Sequence, residues 1–178
     1  MLDSFIAAAE KLVSEGADAI TTNCGFLSIF QKELSAAVRV PVLTSSLMQV
    51  STVNTLLPDS KKAGILTISK STLSDAHLRA ANVPSDTPIG TTEDGAEFSR
   101  VILNDELQLN IELARMDNIN AALKMKTDHP DLGAIILECT NMSPYAEAIQ
   151  EAVELPVYSI VNFVEWLHAG LKPKRFFR

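Results

Sequence analysis

Apolar residues recur along the chain with two alternating periods, one typical of helices and one typical of strands. Residues 2–15 carry apolar side chains at helical spacing, and Gly16 follows as a stop signal, which predicts a first helix. Short apolar runs predict strands at 17–22, 40–43, 63–67, 134–137 and 156–158, with a further short strand at Ile89. The intervening segments predict helices at 27–38, 46–57, 72–81, 96–127 with a break near Asn104, 144–153, and a last helix ending at Ala169. Strands that alternate with helices through short connections predict an α/β fold with parallel strands.

Part of this pattern occurs twice. Shifted by 115 residues, segment 17–45 aligns with segment 132–160 without a gap, and eight of 29 positions are identical, against about two expected from ordinary composition. The identical pairs are Ala19/Ala134, Ile20/Ile135, Cys24/Cys139, Ser28/Ser143, Ala37/Ala152, Val38/Val153, Pro41/Pro156 and Val42/Val157. Shared hydrophobic periodicity alone would not align the only two cysteines of the chain. We therefore interpret the two segments as an internal duplication.

The duplication predicts an architecture as well as a repeat. Two copies of a strand–helix–strand unit usually form two halves related by a pseudo-twofold axis, and open α/β sheets bind ligands beyond the carboxyl ends of their strands. We expect two pseudo-symmetric parallel-sheet lobes around a central cleft, the first comprising 1–58 and 158–178 and the second comprising 59–157. A strand and helices precede the second copy, but only the helix 2–15 precedes the first. The first lobe is thus expected to lack an N-terminal strand, as in a shortened chain, a misassigned start or a degenerate gene product.

Charge and composition exclude several classes of function. The net charge is −7, aromatic residues make up 6% of the chain, and there is no run of basic residues, which argues against nucleic-acid binding. A small anionic substrate is still compatible with this charge. No apolar stretch approaches the roughly 20 residues of a membrane span, and the N-terminus has no signal-peptide pattern. We expect a cytoplasmic protein with reduced thiols, and an exposed face left by the missing strand would promote a homo-oligomer.

The two cysteines suggest paired acid–base chemistry. Moving a proton across a carbon next to a carboxylate requires one ionised and one protonated group on opposite faces, and thiols suit this task. Each cysteine precedes a predicted helix, whose N-terminus would stabilise a thiolate. Asn23, Gly25, Thr140 and Asn141 could hold the substrate carboxylate through amides and hydroxyls. Other interpretations are a disulfide, a zinc site, which the spacing of the three histidines disfavours, or a single cysteine nucleophile with a second, inert thiol.

The stretches Thr22-Asn23-Cys24-Gly25-Phe26 and Leu137-Glu138-Cys139-Thr140-Asn141 resemble the aspartate/glutamate racemase superfamily. The segment 64–67, with Thr72 after it, is similar to the substrate-binding turn of that family. The resemblance implies two α/β lobes around a cleft, no pyridoxal phosphate and no metal, with Cys24 and Cys139 as the acid–base thiols. It also implies substrate contacts for the residues Asn23, Gly25, Thr67, Thr72, Thr140 and Asn141, and Ser45 is a further candidate at the cleft.

The chain departs from the family pattern at two places. Members with a well-defined amino-acid substrate often have histidine after the second Cys-Thr, where this chain has Asn141, and the family's N-terminal strand is missing. Relatives include hydantoin racemases, maleate isomerases and arylmalonate decarboxylases, and the presence of both thiols disfavours a decarboxylase. The sequence therefore predicts a cofactor-independent racemase or isomerase of an amino acid or related small carboxylate. The alternative is a non-catalytic carboxylate-binding protein or an inactive, truncated family member.

Overall fold

A computed structural model describes residues 1–176, so the last two residues of the basic tail, Phe177 and Arg178, lie outside the described part. The α-helices are α1 (Leu2–Ser14), α2 (Gln31–Ala37), α3 (Val50–Leu56), α4 (Asp75–Ala80), α5 (Phe98–Leu103), α6 (Ile111–Asp128), α7 (Ala146–Val153) and α8 (Ile160–Leu171). Three 3-10 helices, Gly25–Phe30, Ser46–Gln49 and Thr140–Tyr145, run directly into α2, α3 and α7. Within residues 1–176, no helix is both long and apolar enough to cross a membrane.

The strands form two parallel sheets, which confirms the predicted α/β fold. They are β1 (Ile20–Thr21), β2 (Val42–Leu43), β3 (Lys62–Thr67), β4 (Ile89–Thr91), β5 (Leu132–Leu137) and β6 (Val157–Tyr158). One sheet has two strands, β1 and β2, and the other has four in the order β4-β3-β5-β6. All neighbouring strands are parallel. The carboxyl ends of β3 and β5 therefore lie at the same edge of the larger sheet.

The two copies of the repeat fold into the same order of elements. Strand, 3-10 helix, α-helix and strand follow one another both from β1 to β2 and from β5 to β6. The register agrees as well, because Ile20 pairs with Val42 and Ile135 pairs with Val157, and these positions are identical in the aligned sequences. The Ile20 amide donates to the Pro41 carbonyl at 2.9 Å, and the Ile135 amide donates to the Pro156 carbonyl at the same distance. The repeat in the sequence is therefore a repeat of backbone structure.

The neighbourhood of the corresponding strands β1 and β5 differs. β5 lies between β3 and β6, whereas within residues 1–176 β1 pairs with β2 alone. A groove of about 330 Å³ lies between α1 and β1 and is lined by apolar side chains together with the polar residues 21–23. Within residues 1–176 the chain thus forms one four-stranded and one two-stranded parallel sheet.

Three apolar clusters build the core, and one residue links two of them to the first cysteine. The two larger clusters centre on β3 and β5, and a small one joins α1, β1 and α2 through Ala9, Ile20 and Leu34. Phe26 packs against both larger clusters and makes an edge-to-face contact with the His77 ring, with centroids 5.2 Å apart. The packing of this partly buried aromatic ring holds the segment after Cys24 against the four-stranded sheet.

The largest difference from the predicted elements lies in the segment 96–127. A break near Asn104 is present, but it is longer than predicted, since α5 ends at Leu103 and α6 begins at Ile111. Glu97 stabilises the break by accepting a hydrogen bond from the Asn110 amide at 2.8 Å, and the Asn110 side chain caps α6. The break therefore depends on contacts between residues that are distant in sequence.

Candidate active site

Each cysteine lies just beyond the carboxyl end of a parallel strand, immediately before a 3-10 helix. Cys24 precedes Gly25–Phe30 and Cys139 precedes Thr140–Tyr145, and the backbone is extended at both positions. Neither thiol forms a disulfide; Cys24 is exposed, and Cys139 is partly buried. We refer to residues 22–27 as the first cysteine turn and to residues 138–142 as the second cysteine turn.

The two cysteine turns are in direct contact. The Thr140 hydroxyl donates a hydrogen bond to the Asn23 carbonyl at 2.7 Å, and Gly25 packs against Glu138. The Ser28 hydroxyl, in the 3-10 helix that continues the first turn, donates to the His77 carbonyl at 3.1 Å. Segments that are 115 residues apart in the sequence therefore meet at one place, with a cysteine in each.

Gly25 is required by this contact for steric reasons. A Cβ atom at position 25 would lie 2.2 Å from Glu138 Oε1 and 2.4 Å from the Glu138 carbonyl oxygen, far inside van der Waals distance. The main-chain oxygen cannot rotate away, because it belongs to the residue that joins β5 to Cys139. Only a residue without a side chain allows the two cysteine turns to approach this closely.

Replacing Gly25 with alanine is therefore expected to force the two cysteine turns apart. Overpacking of this kind costs about 1–3 kcal/mol of unfolding free energy, measurable by urea denaturation. Gly170 in α8 is the matched control, since a Cβ there meets nothing within 4 Å, and alanine in a helix is favoured over glycine by roughly 1 kcal/mol. Equal stability changes in the two variants would contradict the close contact at Gly25.

Glu138 is the residue of this site that the sequence analysis did not single out. Its side chain is only 1% exposed, and its Oε2 accepts a hydrogen bond from the Thr67 hydroxyl at 2.8 Å. Desolvation by burial raises the pKa of this carboxyl to about 7, although hydrogen bonds from Thr67 and from the Ile68 amide lower it. A carboxylate placed directly after a fully apolar strand was the sequence feature that could have identified it.

Cys139 does not have the electrostatic environment that the sequence predicted. The start of a helix was expected to favour the thiolate at both cysteines, but burial, together with the charge of Glu138, raises the pKa of the Cys139 thiol to about 12. The amides of Asn141 and Met142 donate to the sulfur and lower the pKa, yet two hydrogen bonds from a short 3-10 helix do not offset the lost hydration. Cys139 is therefore a protonated thiol at neutral pH.

The other predicted substrate residues lie at different depths. Asn23 and Asn141 are exposed in the cysteine turns, whereas Thr67 is fully buried and its hydroxyl binds Glu138. Ser45 is also buried, and its hydroxyl accepts a hydrogen bond from the Leu47 amide, capping the 3-10 helix Ser46–Gln49. Thr72 is exposed and donates to Ser69 Oγ at 2.7 Å. The geometry thus joins the residues of the two turns directly, and it connects Thr67 to them through Glu138.

A second carboxylate orders the loop that carries Thr72. Glu93 accepts hydrogen bonds from the Ser69 and Ser71 hydroxyls and from the Lys70 amide, the last at 3.1 Å. Hydrogen bonds from Ser71, from the Ser69 hydroxyl and from the Thr91 hydroxyl lower the pKa of Glu93 below its ordinary range, and the Ser71 hydroxyl has the largest effect. Glu93 therefore remains ionised and stabilises the loop after β3. Nowhere in the described residues 1–176 are three His, Cys, Asp or Glu side chains grouped as metal ligands.

Comparison with known proteins gives the family. The Asp/Glu/hydantoin racemase family profile matches residues 6–164. Among curated proteins, a dimethylsulfoniopropionate lyase from Durusdinium sp. clade D is 28% identical over 174 residues, covering 94% of this chain and 57% of the relative. Dimethylsulfoniopropionate lyase 3 from Emiliania huxleyi (strain CCMP1516) is 28% identical over 176 residues, covering 94% of this chain and 46% of the relative. The chain thus spans about half the length of these curated relatives.

Solved structures of low sequence identity share the fold. A glutamate racemase from Bacillus anthracis superimposes with a TM-score of 0.61 at 14% identity, covering 96% of this chain and 66% of the racemase. Unliganded arylmalonate decarboxylase gives a TM-score of 0.61 at 14% identity, covering 99% of this chain and 79% of the decarboxylase. With the profile match over most of its length, the chain belongs to the Asp/Glu/hydantoin racemase family.

Proposed function

We propose that this chain is a cofactor-independent enzyme that removes the proton next to the carboxylate of a small substrate, with Cys24 and Cys139 as the acid–base pair. The observation that carries the proposal is the direct contact between the two cysteine turns at the carboxyl ends of β1 and β5. Two thiols that approach one substrate from different segments can serve opposite faces of one carbon. The substrate would lie in a cleft between the lobes 1–58 with 158–178 and 59–157.

The two thiols take different roles in this proposal. Cys24, which is exposed, is the base that in its thiolate form takes the proton from the α-carbon. Cys139, whose pKa is raised to about 12, is the acid that gives its proton to the opposite face. The products are the inverted or isomerised carboxylate and a thiol pair with exchanged protonation, which returns to the starting state by proton exchange with solvent.

Substrate binding would use groups of the two cysteine turns. Asn23, Gly25, Thr140 and Asn141 flank the two cysteines in the sequence, and the exposed side-chain amides of Asn23 and Asn141 would donate hydrogen bonds to carboxylate oxygens. The ordered loop with Thr72 is a third source of polar groups, and the buried Thr67 and Ser45 would act from behind the surface. The net charge of −7 makes such local donors necessary for a carboxylate substrate.

A second outcome of the same first step is elimination, and the names of the curated relatives favour it. Those relatives are dimethylsulfoniopropionate lyases, whose name describes a carboxylate with a sulfonium group. If the substrate of this chain carries a leaving group on the β-carbon, loss of the α-proton can form a double bond between the α- and β-carbons. The bond to the leaving group then breaks, and the leaving group departs with the electron pair.

The test is exchange of the α-proton with solvent deuterium, measured by NMR for a panel of small carboxylates that includes glutamate, aspartate and dimethylsulfoniopropionate. The unmutated chain is expected to exchange at least one of them, and the double variant Cys24→Ser/Cys139→Ser is expected to lose at least about a hundredfold in rate. Chiral analysis then identifies racemisation, and release of dimethyl sulfide identifies elimination.

Ser60 provides the control, since it is exposed and lies in the turn before β3, so that Ser60→Ala should exchange at the unmutated rate. Full exchange by the double variant would overturn the proposal. A carboxylate that raises the melting temperature of the unmutated chain but is never exchanged would show a binding protein instead.

A further inference from the structure

The residue that precedes each cysteine breaks the symmetry of the repeat. Asn23 precedes Cys24, and the equivalent position before Cys139 is Glu138. Asn23 is neutral and exposed, whereas Glu138 is ionisable and almost completely buried. Two sites that share strand register and helix start therefore differ in one ionisable group next to the thiol.

Glu138 lies at the junction of three segments. On one side its carboxyl accepts hydrogen bonds from the Thr67 hydroxyl and the Ile68 amide at the end of β3. On the other side it packs against Gly25 of the first cysteine turn. The Ser46 hydroxyl donates to the main-chain carbonyls of Leu137 and Glu138, at 2.6 and 3.3 Å. This side chain thus sets how the first turn sits against the second.

The charge of Glu138 is not neutralised by a partner. Within residues 1–176, no lysine, arginine or histidine forms an ion pair with it, and its two hydrogen-bond donors are uncharged. The titratable groups that act on Cys139 are Glu138, the residue before it, and Cys24 from the first turn, and both disfavour the Cys139 thiolate. Two adjacent negative charges repel strongly where water is excluded.

We propose that Glu138 is a positioning residue that assigns the protonation roles of the two cysteines, docking the first turn and, when ionised, holding Cys139 as the protonated thiol. The role of base then belongs to Cys24, on the exposed side of the contact. The catalytic part of this inference rests on the proposed function, whereas the effect of Glu138 on the ionisation of the Cys139 thiol can be measured without it. The two thiols of the duplicated unit are accordingly unequal before any substrate binds.

The experiment measures the ionisation of Cys139 alone. In the Cys24→Ser background only one thiol remains, and its alkylation rate by iodoacetamide as a function of pH reports the thiolate. Glu138→Gln keeps the size and the acceptor for Thr67 but removes the charge, and it is expected to move the Cys139 profile to lower pH by about one unit, a tenfold gain in rate at a given alkaline pH. Glu138→Met is a second neutral variant of similar size, with the same expected direction.

Glu147→Gln in α7 is the matched control, because Glu147 is exposed and the substitution removes the same charge. It should leave the Cys139 profile where it is. A profile that is identical with and without the Glu138 carboxyl would overturn the inference, since a purely structural role would not move a pH profile.

The two proposals fail separately in this design. A shifted Cys139 profile without deuterium exchange by the unmutated chain would refute the enzymatic function and leave the inference intact. Exchange that depends on both cysteines, combined with an unshifted profile, would refute the inference alone.

Discussion

Cys24→Ser and Cys139→Ser are expected to lose different steps of the reaction. A serine hydroxyl is a much weaker base than a thiolate, so loss of the base in Cys24→Ser should reduce α-proton exchange by about 10²- to 10⁴-fold. Cys139→Ser keeps the base and should continue to exchange the proton, with retention of configuration, while it loses inversion. The measurement is the ratio of deuterium incorporation to stereochemical inversion for each variant. If the reaction is elimination, the corresponding ratio compares exchange with release of the leaving group.

The assignment of roles is contradicted if both single variants lose exchange and inversion to the same extent. That result would mean that either thiol can act as the base and that the pair is functionally symmetric. Circular dichroism of each variant provides the control for folding, since Cys139 is partly buried and Cys24 is exposed. The stereochemical ratio is independent of the amount of folded protein.

The sequence predicted that the two cysteines occupy equivalent backbone positions, because the duplication is recorded in identical residues. Cys24 and Cys139 align at the same offset as the strand residues Ile20 and Ile135, and the structure places both pairs in equivalent backbone positions. Hydrophobic period and turn residues also predicted most elements to within a few residues. The strands β1 and β2 are shorter than predicted, with two residues each, because strand length depends on pairing and within residues 1–176 β1 pairs with β2 alone.

The sequence could not predict Glu138, because its chemistry depends on tertiary contacts. Its environment is defined by burial, by the Thr67 hydroxyl and by the close backbone of Gly25. Thr67 and Gly25 are both distant from Glu138 in the sequence. The same holds for Cys139, where a helix start alone predicts an easily ionised thiol. Desolvation outweighs the two amide hydrogen bonds there, and the balance can be evaluated only from the folded structure.

The comparisons separate fold from reaction. The glutamate racemase and the decarboxylase share the fold at 14% identity, whereas the curated relatives at 28% identity are lyases. Racemisation and elimination both begin with removal of an α-proton, so a single arrangement of thiols can support either. In the proposed mechanism, two things decide between them. One is whether the β-carbon of the substrate carries a leaving group, and the other is whether the Cys139 thiol gives its proton to the α-carbon.

The buried Glu138 also predicts an unusual pH dependence of stability. Its pKa is raised from the ordinary 4.5 to about 7 in the folded chain, so between these values the folded state holds a proton that the unfolded state has released. The stabilising contribution is fully present below pH 4.5 and is lost as the pH rises towards 7, which amounts to about 3 kcal/mol in total. Glu138→Gln has no such proton, and it should therefore be more stable than the unmutated chain by about this amount above pH 7 and about equally stable near pH 4.

Urea denaturation of both proteins across this range measures the difference directly, and other titrating groups cancel because the two chains share them. Glu147→Gln, with its exposed position, should parallel the unmutated chain at every pH. If Glu138→Gln is less stable than the unmutated chain at alkaline pH, the carboxylate contributes favourable interactions that exceed its cost of burial, and Glu138 would then be ionised throughout. If the stability gain of Glu138→Gln grows with pH, the unmutated fold tolerates an unfavourable charge next to Cys139. A destabilisation of this size at the contact of the two cysteine turns points to selection for chemistry over stability.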